Sequence, residues 1–89
     1  MKKTHPGHLR QLVANNIRKY RGERGISQQD FALMIDMDRS YFGAVERGER
    51  NISIDNLERI AKGLDLQPAF LLVSDDTVTI RELLDRSRT

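Results

Sequence analysis

The chain contains no cysteine, which removes disulfides and thiolate metal sites from its chemistry and suits a reducing cytoplasm. Its two histidines, His5 and His8, both lie at the N-terminal tip. They have His-x-x-His spacing, but no Asp, Glu or Cys stands near them, so no metal site is expected. A hydroxyl nucleophile elsewhere would lack a base, and no glycine-rich phosphate loop is present, so the chain is not expected to be an enzyme and no cofactor is implied. No apolar run approaches membrane-spanning length. The opening MKKTHPGH has two lysines without an apolar stretch behind them, so no signal peptide is expected. Internal repeats, low-complexity tracts and linkers are also missing. Period-two alternation never persists, which argues against a sheet and for an all-α fold.

What is present is one small domain. Eighty-nine residues, 38% hydrophobic, allow a single core with a net stability of about 5 kcal/mol. Formal charge is only +2, but it is unevenly placed. Residues 1–50 carry ten Lys and Arg against six Asp and Glu, while residues 51–89 carry five against seven. A basic half of this kind suits a polyanion, although scattered arginines more often only solvate a surface.

The most informative stretch is 26–57, ISQQDFALMIDMDRSYFGAVERGERNISIDNL. A first helix before it is predicted to start between Pro6 and Leu9 and to run to about Gly22, with Leu9, Val13, Ile17 and Tyr20 on one stripe and Arg10, Arg18 and Lys19 off it. Gly22 and Gly25 end it. The second helix opens at Ser27, where Ser27-Gln28-Gln29-Asp30 resembles a capping box. It buries Phe31, Ala32 and Ile35 and leaves Leu33 and Met34 exposed. Asp36-Met37-Asp38 forms the turn, with Met37 packed beneath it. Asp38 caps a third helix running to about Arg47, with Phe42 and Val45 inward and Arg39, Ser40, Gly43, Ala44 and Arg47 outward. Ser53 caps a fourth, with Ile54, Leu57, Ile60, Ala61 and Leu64 inward and Gly63 permitting close packing. Pro68 suits the first turn of a short fifth helix over 67–73. Thr79-Ile80-Arg81-Glu82 is a capping box for a C-terminal sixth helix with apolar Ile80, Leu83 and Leu84.

Two short capped helices joined by a tight turn are a device for placing a helix in the DNA major groove. The groove admits one helix, whose N-terminal residues meet base edges. Here Arg39 is suited to guanine, Ser40 can donate or accept, and Ala44 is suited to a thymine methyl. Each has an ordinary counterpart: a solvated arginine, a helix-start serine, a helix-forming alanine.

Ile17-Arg18, Arg21, Gly25-Ile26-Ser27-Gln28, Phe31-Ala32, Asp38, Phe42, Glu46-Arg47-Gly48, Ser53, Leu57 and Ile60-Ala61 stand in the register of the lambda-repressor-like, or Xre-type, helix-turn-helix family. The resemblance covers about residues 9–72. Asp38-Arg39-Ser40-Tyr41, Arg47 and Arg50-Asn51 most resemble the controller proteins of restriction–modification systems. The resemblance implies a five-helix DNA-binding domain over 9–74 with a basic arm (1–8) before it and a helical, dimerising extension (75–89) after it. It further implies that Arg50 reaches a base or a phosphate, that Gln28 binds phosphate beside Ser27, and that Arg21 pairs with Glu46. Tyr41, Arg47 and Asn51 are further backbone candidates; for Tyr41 the alternative is to cover the edge of the core.

The expected function is therefore a cytoplasmic, homodimeric regulator of transcription that reads a near-palindromic site in double-stranded DNA, with half-sites about 34 Å apart. Apolar residues beyond one small core's needs, among them Leu33, Met34, residues 70–73, Leu83 and Leu84, point to a subunit interface. A prophage-type repressor and an antitoxin-like protein-interaction module are the alternatives.

Overall fold

The computed structural model describes residues 7–74, so the capping box of the C-terminal extension and nearly all of the N-terminal arm lie outside the described residues. Four α-helices follow one another: α1 His8–Glu23, α2 Gln28–Met34, α3 Arg39–Glu46 and α4 Ile54–Gly63. The predicted fifth helix is a 3-10 helix, Pro68–Leu72, rather than an α-helix. Its five residues are too few for a self-sustaining α-helical turn pattern, and a side chain from α1 ties down its C-terminal end. The Asn16 amide, buried in α1, donates to the Leu71 carbonyl (3.0 Å) and to the Val73 carbonyl (2.8 Å). No strand occurs among the described residues, and none of their helices is long and apolar enough to cross a membrane.

Helices this short gain little from propensity, so their ends matter. Ser27, Asp38 and Ser53 each accept a hydrogen bond from the backbone N–H three residues on, at 3.0, 2.9 and 3.0 Å, opening α2, α3 and α4. Every α-helix closes in one pattern. The N–H two positions past the cap returns to a carbonyl five residues earlier: Ile26 to Arg21, Met37 to Ala32, Glu49 to Ala44 and Leu66 to Ala61. The residue before each of these N–H groups is left-handed: Gly25, Asp36, Gly48 and Asp65. Glycine or a short polar side chain tolerates that conformation. Ile26, Met37 and Leu66 then turn inward onto the core, which converts each chain reversal into buried apolar area. The α3 closure ends in Glu49 and stays wet.

The core gathers Val13 and Ile17 of α1, Phe31 and Ala32 of α2, Phe42 and Val45 of α3, and Ile60, Ala61 and Leu64 of α4, with Leu71 closing one side. Phe31 and Phe42 meet with ring centroids 5.3 Å apart, tilted by 43°, and so join the two helices of the tight-turn unit directly. Arg59 of α4 reaches across to the Asp36 carbonyl in that turn, at 3.3 Å.

Two expectations fail here. Leu9 is more than half exposed, and Ile54, expected inward, is 83% exposed. Both stand at the first turn of their helices, where the chain has only begun to approach the core.

Gly63 has the packing role expected of it. A methyl group there would stand 2.5 Å from Ile35 Cγ2 and 3.0 Å from Phe31 Cζ. Phe31 is fully buried and has no room to retreat. Overpacking costs about 1–3 kcal/mol, while the propensity gained by alanine, at most about 1 kcal/mol, is smaller at a helix end. Gly63→Ala should therefore lower the urea midpoint of unfolding without changing its slope; a midpoint at or above the parent's would show that α2 and α4 separate freely.

Candidate nucleic-acid interface

The candidate surface is built around α3. Residues 42–46 are all buried, while Arg39, Ser40 and Arg47 are exposed. A helix packed along most of its length but open at its first turn presents that turn and its last cation to solvent. Arg39, Ser40, Gly43 and Arg47 share a shallow polar concavity with Gln28 of α2. This places the N-terminal side of α2 beside the leading edge of α3, as one surface.

What holds α3 in that attitude is a buried carboxylate. Glu46, 1% exposed, receives Arg21 Nε on Oε2 at 2.7 Å and Arg21 Nη2 on Oε1 at 2.9 Å. Gln28 Nε2 adds a third bond to Oε1 at 2.8 Å. Arg21 Nη1 donates to the Ile26 carbonyl at 2.8 Å, so the guanidinium is held at three of its nitrogens. Arg18, one turn earlier on α1, donates to the Glu46 backbone carbonyl and to Asn15. The bidentate fork suits planar carboxylate geometry. The pair Arg21–Glu46 expected from the family register is thus present, with Gln28 as a partner the sequence did not announce.

Gln28 therefore has a structural role beside any phosphate contact. Its amide is tied to Glu46, and that sets where α2 begins relative to α3. Ser27 is exposed at that helix start, its hydroxyl oxygen taken up in the cap. Gly43 is part of the same packing. A Cβ there would lie 3.3 Å from Arg47 Nη1 and 3.4 Å from Gln28 Oε1, so its lack of a side chain leaves room for two protein side chains. Gly43 and Ala44 were expected on the outer face, and both are buried, Ala44 to 9% exposure. The correction has a physical cause: α3 packs against both α1 and α2, so its covered arc is wider than the single apolar stripe that Phe42 and Val45 suggest. In this chain's own fold Ala44 is a packing residue, not a surface methyl.

Arg47 points outward with its Nε 3.1 Å from Glu49 Oε2, both more than half exposed. In water such a pair is weak, and the cation stays available to a stronger anion. Arg50 and Asn51 follow in an exposed loop. The Arg50 guanidinium lies over the ring of Tyr41, 5.1 Å from its centroid. Tyr41 is half-buried against the core, and its hydroxyl accepts from Asn56 Nδ2 at 3.1 Å. The alternatives raised for Tyr41 are not exclusive: it covers the edge of the core and carries a cation. Arg18, Asn56 and Arg59 were missed as contributors, because their partners are 28, 15 and 23 residues away and no local pattern marks such pairs. No cluster of three or more metal-ligating side chains occurs among the described residues.

Comparison with known proteins agrees with this geometry. A family model described as helix-turn-helix matches residues 17–71. The control protein C.MunI of a Mycoplasma species is 45% identical over 53 residues, spanning 58% of this chain and 72% of that protein. Among solved structures, the restriction–modification controller protein C.AhdI from Aeromonas hydrophila superposes with a TM-score of 0.67 at 39% identity, over 70% of this chain and 94% of that one. The controller C.Esp1396I, solved as a tetramer with its natural 35 base-pair operator, gives a TM-score of 0.68 at 32% identity over 90% and 93%.

Breaking the junction should be costly. Removing one partner of a buried ion pair leaves the other charge unmatched, at about 3–5 kcal/mol. Glu46→Ala should lose most of the domain's stability, read as a large drop in thermal midpoint; a melt matching the parent's would show that Arg21 finds another partner without loss.

Proposed function

Because this chain belongs to the helix-turn-helix family, we propose that it is a sequence-specific DNA-binding regulator of transcription, of the restriction–modification controller kind, bacterial or phage-encoded and acting as a homodimer in the cytoplasm. The observation that carries this reading is the exposed Arg39–Ser40 edge at the start of a helix that is otherwise buried. Arginine at such an edge suits the O6 and N7 acceptors of guanine, and Ser40 beside it suits either a donor or an acceptor. Gln28, Ser27, Tyr41, Arg47 and Asn51 surround that edge as candidates for phosphate, with Arg50 a candidate for a base or a phosphate. Ala44 enters this list only if the protein rearranges on DNA.

A dimer places two such edges one helical turn apart, about 34 Å on DNA. The apolar surface supports that assembly. Leu9, Ile54 and Leu57 line one cleft with Leu72, and Phe70 of the 3-10 helix is exposed nearby in sequence. Leu33 on α2 is 79% exposed. Exposed residues of this type on a small domain call for a second copy; Leu83 and Leu84, expected at the same interface, lie outside the described residues. The antitoxin-like alternative has no observation of its own in its favour.

Selection from a randomised duplex pool, followed by footprinting, tests the function: two protected half-sites about one helical turn apart are expected, and a failure to enrich any sequence would reject it. On the selected site, Arg39→Ala should cost about 1–3 kcal/mol and relax one base position, whereas Arg47→Ala should weaken all sequences alike and flatten the salt dependence by about one ion. An Arg39→Ala loss shared equally by all sequences would move Arg39 to the phosphate contacts. Phe70→Glu should shift the protein toward monomer in sedimentation velocity, and an undisturbed dimer would place the interface elsewhere.

A further inference from the structure

The loop after α3 carries an exposed cation, Arg50, whose guanidinium lies over an aromatic ring. Arg50 follows the left-handed Gly48 and lies in a stretch outside any helix. A long arginine side chain in such a loop has many rotamers, and fixing it on a ligand costs most of that freedom. The ring of Tyr41 beneath its guanidinium restricts it before any ligand arrives.

Tyr41 is itself held at two points. Its backbone N–H is bound by the Asp38 cap, and its hydroxyl receives the Asn56 amide. Asn56 is anchored in turn, because its own backbone N–H is bound by Ser53. Two helix caps, one opening α3 and one opening α4, thus define the ends of a single side-chain bridge, and Arg50 rests on it. Arg50 and Asn51 also line the cleft against which α4 begins, with Ser53 and Ile54.

We propose that Asn56 is a positioning residue for DNA readout: by holding the Tyr41 hydroxyl it fixes the ring on which Arg50 is pre-oriented, and so couples the start of α4 to the aim of the loop after α3. The inference rests on the DNA-binding reading of this face and adds to it a residue that touches no DNA. A plain staple between α3 and α4 is the competing role. It predicts a loss of stability with no change in discrimination.

Two measurements separate these roles. The first needs no DNA. The Arg50 side-chain methylene protons should show an upfield ring-current shift in the NMR spectrum of the parent protein, and Asn56→Ala and Tyr41→Phe should each diminish it. The second compares binding to the pool-selected site and to random duplex. Asn56→Ala should lower the ratio of the two affinities by about three- to tenfold, the scale of one lost cation–π contact, and should add nothing in an Arg50→Ala background. Asn56→Gln, which keeps the amide donor, should recover part of the ratio. A ring-current shift unaffected by Asn56→Ala would overturn the proposal. So would an equal loss on both DNAs, or a loss that persists without Arg50. Should Asn56→Ala fail to fold, Asn56→Leu, which keeps the volume and removes only the amide, carries the same comparison. A parent protein that enriches no sequence from the pool would overturn the regulatory reading and this proposal with it, and the ring-current result would then show the bridge to be structural only.

Discussion

The carboxylate of Glu46 is where three helices meet. Arg21 brings α1 to it, Gln28 brings α2, and Glu46 is itself the last residue of α3. A charge at 1% exposure is tolerable only when its lone pairs are occupied, and here three donors occupy them. Side chains of equal volume and no charge could fill this space without loss of stability. They would not impose the fixed angles of a bidentate fork, however. The geometry of that fork sets α3 relative to α1, and the Gln28 amide sets the start of α2 relative to α3. The concavity holding Arg39, Ser40 and Arg47 therefore rests on the same network, because Gln28 both lines it and donates to the buried Glu46 carboxylate.

The same economy runs through the helix ends. Helices of seven, eight and ten residues are below the length at which propensity alone sustains them. Caps at their starts and left-handed closures at their ends satisfy the backbone groups that so short a helix leaves open. These devices also position side chains. The Asp38 cap fixes the first turn of α3, and the Ser53 cap fixes Asn56, which reaches Tyr41. The residues that close the helix ends are thus tied to the ring over which Arg50 lies.

Much of this was legible in the chain itself. Ser27, Asp38 and Ser53 announced three helix starts, because a cap is a contact between residues three apart. The turn at Asp36 and the burial of Met37 followed from the same local chemistry. The pairing of Arg21 with Glu46 was legible only through family register, since 25 residues separate them. Other residues were not legible. Asn16 reads as a polar interruption in an apolar stripe until the carbonyls of Leu71 and Val73 are brought to it. Ala44 carries no mark of how wide an arc of α3 is covered. Ile54 sits at an inward helical phase, yet a first-turn residue reaches the core only if its helix enters at the right angle.

The sequence by itself determined the order of the first four helices, the side chains that cap three of them, and which residue heads α3, because all of these are set by interactions within one helical turn. Tertiary structure alone decided that the segment after α4 would be a 3-10 helix tied to Asn16, that Ala44 would be enclosed, and that Arg50 would lie on Tyr41. Each of those outcomes depends on where a second helix stands, and that position is the sum of packing and charge pairing across the whole domain.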